Sequence, residues 1–307
     1  MKLDGIFILA AGLGKRLRPL TLIRPKPCIP ILGHSPLERW ASAISHLKPG
    51  QVVLNTHHLP EEVQCEWERV VPKEWRYSFS YEPEILDTAG GLREAMRRIS
   101  GGGTVMILNG DVIADAPLEA LFQAHREHGA LCTAWVNPTF PPKTVTWDKH
   151  HRVVSFSDHT GGKAVFCGVY LVEREILNYI PDTGAYPIIP SLEAANAEHK
   201  VQVFVHESPD WCDIGSLERY WSLHTEESLR RRWMVTGSPK NPPGCLSAGK
   251  NVSIAKGTHL KNAVLWDNVE IKDGALLENV IVTDGVTVNG QYQNQIITPH
   301  GIFPLFG

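Results

Sequence analysis

The apolar run Ile6-Phe7-Ile8-Leu9-Ala10-Ala11 gives way to residues 12–27, which read Gly-Leu-Gly-Lys-Arg-Leu-Arg-Pro-Leu-Thr-Leu-Ile-Arg-Pro-Lys-Pro. No other stretch restricts the fold so much. The run reads as a buried strand. Pro19, Pro25, Pro27 and Pro30 then forbid an α-helix before Pro36, because each lacks a backbone N–H and crowds the preceding turn. A rigid loop must therefore leave the strand. Gly12 and Gly14 let the backbone turn and present N–H groups with no Cβ in the way. Arg16, Arg18 and Lys26 add fixed cations, so the loop suits a polyphosphate. The plain alternatives are an ordinary strand-to-helix turn or a solvated charged face, and the interleaved prolines argue against a charged helix. They argue equally against a dinucleotide fingerprint, which needs a helix opening on its third glycine. The G-x-x-x-x-G-K-[ST] phosphate loop is absent.

Strand-like and helix-like segments alternate through the first two thirds, which predicts an α/β sheet with helices on both faces. Ser35-Pro36-Leu37-Glu38 opens a helix with a serine cap, a proline in the first turn and a glutamate three after the cap. Strands are expected at Gln51 to Asn55, Tyr77 to Glu82 and Thr104 to Leu108. The last is continuously apolar and fits a central strand buried on both faces. Helices are expected at Pro60 to Val70, Leu92 to Ile99 and Leu217 to Trp233. Asp111, in Asn109-Gly110-Asp111, falls at the carboxyl end of the most apolar strand, where open α/β sheets place ligands. Asp213, in Trp211-Cys212-Asp213-Ile214-Gly215, precedes the last helix. Two carboxylates together with phosphate oxygens and waters suit Mg²⁺; each alone also reads as a helix cap or turn residue.

Beyond the helices the period changes. Residues 236–244 are rich in proline and glycine and read as a linker. Short β-branched pairs closed by glycine then recur at 252–257, 269–274, 280–285 and 286–290, three of them six residues long and the last five. The division expected is 1–235, a linker over 236–248, and a repeat tail over 249–307. Stacked short strands would bury one apolar column; a run of β-hairpins is the alternative. A formal net charge of −3 gives no reason to expect a nucleic-acid partner. Six cysteines stand singly, as reduced thiols in a cytoplasm would. No apolar run approaches membrane-spanning length, and the start of the chain leaves no room for a signal peptide, so no membrane partner and a cytoplasmic location are expected.

The pattern G-x-G-x-R-x-x-P-L-T followed by P-K-P, together with G-D-V at 110–112 and W-x-D-I-G at 211–215, resembles the sugar-1-phosphate nucleotidyltransferases. These make an NDP-sugar and pyrophosphate from an NTP and a sugar 1-phosphate. The resemblance implies a doubly wound, Rossmann-like mixed sheet, and a tail forming a short left-handed parallel β-helix that serves oligomerisation or regulation, so a homo-oligomer is expected. It implies that Ala10, Ala11, Gly12, Gly14 and Arg16 hold the nucleotide, with Arg16 on the departing phosphates. Lys26 would neutralise the α-phosphate as charge builds. Asp111 and Asp213 would bind Mg²⁺, and Arg16, Lys26 and Asp111 would carry catalysis. Glu82 falls where relatives read the base, Gly90 where the backbone approaches the bound nucleotide, and Asp87, Thr88, Gly91 and Gly168 where they cover the sugar. Glu82 also reads as a strand-edge carboxylate in solvent. A phosphate monoester has a second pKa of about 6, so a sugar 1-phosphate is its own nucleophile and needs no general base.

Two segments depart from the family. Phe166 replaces an asparagine in N-x-G-x-Y, and Asp158-His159 stands where a lysine grips the sugar phosphate, leaving Lys163 or Lys143 as substitutes. Both departures are shared with N-acetylmuramate-1-phosphate uridylyltransferases, whereas the repeat tail is shared with mannose-1-phosphate guanylyltransferases. GTP with a mannose-like sugar is slightly favoured over UTP. A non-catalytic NDP-sugar-binding regulator is the rival reading. Transfer to a phospho-alcohol such as phosphocholine is a third, with Trp135, Trp147 and Asp148 as pieces of an ammonium cage.

Overall fold

The apolar run becomes strand β1 (Gly5–Leu9), and three short 3₁₀ turns (Lys15–Leu17, Leu20–Leu22 and Lys26–Cys28) occupy the proline-rich loop. The chain continues through α1 (Pro36–Ala43), β2 (Val52–Thr56), α2 (Pro60–Val70), β3 (Tyr77–Tyr81), α3 (Asp87–Met96), β4 (Val105–Asn109) and β5 (Val112–Ala114). Then come α4 (Leu118–His128), β6 (Cys132–Asn137), β7 (Thr146–Trp147), β8 (Val153–Ser155), β9 (Val165–Val172), α5 (Ile188–Asn196), β10 (Val201–Val205) and β11 (Trp211–Asp213). This computed structural model describes residues 3–235 and 240–306. Residues 236–239 of the expected linker, and the two residues before Leu3, lie outside the described residues.

Two units form. One takes Met1–Gly12 and Leu37–Asp213; the other takes Leu13–Pro36 and Ile214–Gly307. The first is built on a seven-stranded sheet in the order β10-β6-β9-β4-β1-β2-β3. It is parallel except for β9, which runs antiparallel to both β4 and β6. The most apolar strands, β1 and β4, lie side by side inside it, because a strand covered on both faces needs apolar side chains on both. Helix α3 packs on β1, β2 and β3, and α4 packs on β6 and β9. Phe7, Val53, Leu92, Ile107, Tyr170 and Val203 belong to one continuous core.

Helix α3 starts five residues before the expected Leu92, so Gly90 and Gly91 sit inside its first turns. Glycine is a poor helix former. Here tertiary bonds hold the turn: the Ala89 and Gly90 N–H groups both donate to the Tyr186 carbonyl, and Tyr186 N–H donates back to Leu86.

In the second unit the expected helix at 217–233 is two helices, α6 (Leu217–Thr225) and α7 (Glu227–Trp233). The break is Glu226, at φ −74° and ψ 114°, an extended ψ that no helix continues through. The tail then forms β12 (Cys245–Ala248), β13 (Ser253–Ile254), β14 (His259–Leu265), β15 (Glu270–Ile271), β16 (Leu276–Val282), β17 (Thr287–Val288), β18 (Gln291–Thr298) and β19 (Gly301–Pro304). β12-β14-β16-β18 pair in parallel, as do β13-β15-β17. Hairpins are therefore not the plan of the tail, apart from β19, which returns antiparallel along β18. The glycine-closed units at 252, 269 and 286 supply β13, β15 and β17, and equivalent residues stand 17 apart. Leu265, Val269, Ile271, Leu277, Val280, Val282 and Val288 fill the interior. Among the described residues no helix is long and apolar enough to cross a membrane.

Candidate active site

Because β1, β2, β3 and β4 are parallel and in register, their carboxyl ends share one edge of the first unit's sheet. Ala10, Ala11 and Gly12 follow β1 there, Glu82 follows β3, and Gly110-Asp111 follow β4. One residue that sequence reasoning left unassigned holds this edge together. Asn55, at the end of β2 and only 3% exposed, accepts from Ala10 N–H at 2.7 Å and donates to Glu82 Oε1 at 2.8 Å. Its signal was present as a polar residue closing an apolar strand, which in a buried position must find partners on both sides of its amide.

Glu82 is 1% exposed, so it is not a carboxylate in solvent, and its oxygens are engaged within the protein. Oε2 accepts from Leu86 N–H at 2.9 Å, and His57 Nδ1 lies 2.8 Å from the Glu82 carbonyl oxygen. Burial raises its pKa, against the pull of Leu86, Asn55 and His57. Gly91 is buried directly over this pair: a Cβ there would come within 2.9 Å of Glu82 Oε1 and 3.0 Å of Asn55 Nδ2. Gly90 lies as closely against the Gly184 carbonyl. Asp87 opens α3 at φ +58°, a conformation aspartate tolerates, and its Oδ1 accepts from Thr88 N–H.

The two candidate metal ligands are brought together. β5 and β11 pair antiparallel with Asp213 opposite Val112, so Asp111 is the neighbour of Asp213's partner across the ladder. Asp111 is half-buried and Asp213 exposed. Among the described residues no group of three or more His, Cys, Asp or Glu side chains could hold a metal. A pair of carboxylates is nonetheless the donor set that Mg²⁺ takes beside phosphate oxygens and water. Gly168 on β9 lies at the same edge, where a Cβ would collide with the Asn109 side chain at 2.5 Å. The neighbouring Trp211 is a packing residue, 7% exposed with its indole N–H donated to the Cys167 carbonyl.

Gly14, Arg16 and Lys26 belong to the second unit. Gly14 adopts φ +58°, and a Cβ there would meet Thr21 Cγ2 at 2.6 Å, so only glycine fits. Thr21 Oγ1 donates to the Gly14 carbonyl at 3.0 Å. The loop thus folds back on itself and brings Gly14 beside Thr21 and Lys26. Arg16 and Arg18 are exposed and Lys26 is half-buried.

Three of the other candidates, Lys163, Trp147 and Trp135, are engaged elsewhere. Lys163 donates to the Trp147 carbonyl at 3.0 Å, and its ammonium lies 5.1 Å from the centre of the Trp147 ring. That ring face is therefore covered by a cation of the protein itself. Trp135 is fully buried and donates to the His206 carbonyl, which places it in the core. Neither tryptophan offers an ammonium cage. None of the six cysteines is joined in a disulfide.

Comparison with known proteins gives the same picture. The chain is 27% identical to the UTP–glucose-1-phosphate uridylyltransferase of Synechocystis over 285 residues, covering 86% of this chain and 71% of the other. It is 27% identical to the mannose-1-phosphate guanylyltransferase of Mycobacterium tuberculosis over 288 residues, with 85% and 79% covered. The crystal structure of HddC from Yersinia pseudotuberculosis shares the fold, with a TM-score of 0.60 at 20% identity, over 71% of this chain and 96% of that one. The model of the nucleotidyl transferase family matches residues 6–228. With that match, and with an α/β fold that carries the glycine loop and the two aspartates, the chain belongs to the nucleotidyl transferase family.

Proposed function

We propose that the protein joins an NTP to a sugar 1-phosphate, giving an NDP-sugar and pyrophosphate with Mg²⁺ as cofactor. The observation that carries this reading is the pairing of β5 with β11, which sets Asp213 opposite Val112, the residue that follows Asp111. Bound by these aspartates, Mg²⁺ supplies charge neutralisation to the triphosphate. The loop backbone at Gly12 and Gly14 and the Arg16 guanidinium hold the β- and γ-phosphates. Apart from Gly12 and its two chain neighbours, no atom of the described residues lies within 4 Å of where a Gly12 Cβ would stand, which suits a backbone approached by a ligand. Lys26 acts as a compact charge on the α-phosphate. A phosphate oxygen of the sugar 1-phosphate attacks the α-phosphorus, the bond to the bridging oxygen breaks, and pyrophosphate leaves with that electron pair. No protein base is required, because the nucleophile is already ionised.

Glu82 enters this reading by shaping the 82–87 turn for the base rather than by touching it, with Gly90 in the same wall. Asp87, Thr88, Gly91 and Gly168 bound the sugar side. GTP with a mannose-like sugar is the first choice and UTP the second; the named relatives act on mannose 1-phosphate and glucose 1-phosphate. We read residues 1–235 as the catalytic domain and residues 245–307, beginning with β12, as the tail. Parallel strands that recur every 17 residues from β13 to β15, β14 to β16 and β15 to β17, and every 15 from β16 to β18, close to three hexapeptides, support a left-handed parallel β-helix. We read the protein as a cytoplasmic homo-oligomer.

Asp111→Asn keeps the size of the side chain and removes its charge. Mg²⁺-dependent pyrophosphate release is expected to fall below detection while the melting curve stays in place. A near-normal rate in that variant would remove Asp111 from the site.

A further inference from the structure

Arg24 lies in the loop between the 3₁₀ turns, at a position to which the sequence motif assigns no role. Its guanidinium reaches residues 243 and 260 positions further along the chain. Nε donates to Asp284 Oδ2 at 2.6 Å, Nη2 donates to Asp284 Oδ1 at 2.8 Å, and Nη2 also donates to Asp267 Oδ2 at 2.8 Å. The fork thus closes on Asp284 at two points and on Asp267 at a third. Such bidentate geometry fixes direction as well as charge. Asp267 and Asp284 are the same position in successive repeats, 17 residues apart, with Asp267 N–H donating to Asp284 Oδ1. Repeats stacked in parallel put like side chains about 4.8 Å above one another. Two such carboxylates repel each other, and the single positive charge of Arg24, bonded to both, offsets that repulsion. The guanidinium also lies 5.6 Å from the centre of the Trp266 ring.

The contact continues from Trp266 back to the loop. Trp266, 1% exposed, donates its indole N–H to Tyr220 Oη at 3.0 Å, and Tyr220 donates to the Pro30 carbonyl at 2.9 Å. Leu32 N–H donates to His224 Nε2 at 3.2 Å, so His224 carries its proton on Nδ1 and gives it to the Tyr220 carbonyl. The loop is therefore held at Arg24, Pro30 and Leu32 by groups from the tail and α6, all within the second unit.

We propose that Arg24, seated on Asp267 and Asp284, is a positioning residue that locks the 13–36 loop in its triphosphate-binding form, so that the repeat tail sets nucleotide affinity. That the loop binds a triphosphate rests on the function proposed above; the clamp itself does not. Without the clamp, the loop samples other shapes, and the apparent affinity for NTP falls by the fraction of time it spends in the competent one. A loop that is competent a tenth of the time raises KM for NTP about tenfold. The sugar 1-phosphate does not depend on Arg24 for its contacts.

The test uses the full chain with Asp284→Asn, Arg24→Gln, the double variant and Arg24→Lys. Expected are a rise of about tenfold in KM for MgNTP with KM for the sugar 1-phosphate within about twofold, a double variant no worse than Arg24→Gln, and partial recovery in Arg24→Lys. Hydrogen exchange over residues 13–24 should quicken, while exchange over β14, β16 and β18 stays slow and shows that the tail is folded. Unchanged loop exchange together with unchanged KM for NTP would overturn the proposal. A rise shared equally by both substrates would overturn it too. If the wild-type protein consumes no NTP, the nucleotide half of the proposal falls with the function, and loop exchange alone decides the clamp.

Discussion

At the carboxyl edge of the sheet in the first unit, position is held by one buried amide, Asn55, whose two ends tie Ala10 to Glu82. In the tail of the second unit, position is held by columns of asparagines that are half-buried (Asn262, Asn279) or exposed (Asn251, Asn268, Asn294). Asn262 donates to Asn279 and Asn279 to Asn294, each at 2.9 Å, and Asn251 donates to Asn268 in a second column. All five have φ between 52° and 58°. The first arrangement occurs once and is dry. The second repeats and stays wet. A dry single bond concentrates its cost in one residue, because a buried group left without a partner loses its full solvation. A repeated wet one spreads the cost, and each rung matters mostly through the left-handed backbone it permits.

The largest effect should therefore come from Asn55. Asn55→Ala leaves Ala10 N–H and one Glu82 oxygen unmatched in a buried place, and unfolding in urea should show a loss of about 1–3 kcal/mol for each group. Asn55→Asp restores the acceptor for Ala10 but faces Glu82 with a second carboxylate. Burial already raises the Glu82 pKa, so the folded state takes up a proton before the unfolded chain does. The deficit of Asn55→Asp should shrink as pH falls from neutral toward the unfolded carboxylate pKa of about 4.3, a trend read from urea midpoints across that range.

A smaller effect is expected at Asn279, the middle rung of its column. Asn279→Ala keeps φ near 52° with a side chain that disfavours it and should cost about 1–2 kcal/mol. Asn279→Gly frees the backbone and loses only the two ladder bonds, so it should cost less than alanine does. If glycine proved as damaging as alanine, the amide bonds and not the backbone would be what holds the column, and the contrast with Asn55 would weaken.

The central sheet was legible because β1 and β4 are apolar on both faces, and no amphipathic helix produces such runs. The parallel tail was legible through β-branched pairs closed by glycine. What escaped was long-range. The inward turn of Glu82 depends on Asn55, 27 residues earlier, and on the space left by Gly91. A glutamate ending a strand carries no mark of the direction it will face. The join of Arg24 to Asp284 spans 260 residues, and no local pattern marks it. The break at Glu226 was hidden as well, since α6 and α7 both have good helix formers and only the backbone at one residue separates them.

The most direct test is pyrophosphate release by the wild-type protein across a grid of four NTPs and the 1-phosphates of mannose, glucose, N-acetylglucosamine and N-acetylmuramate, with Mg²⁺ and again with EDTA. The proposed function requires one strongly positive pairing, with GTP and mannose 1-phosphate first in line, that EDTA abolishes. Silence in every pairing, from folded protein that still binds an NDP-sugar, would contradict it and make the chain a regulator instead of an enzyme.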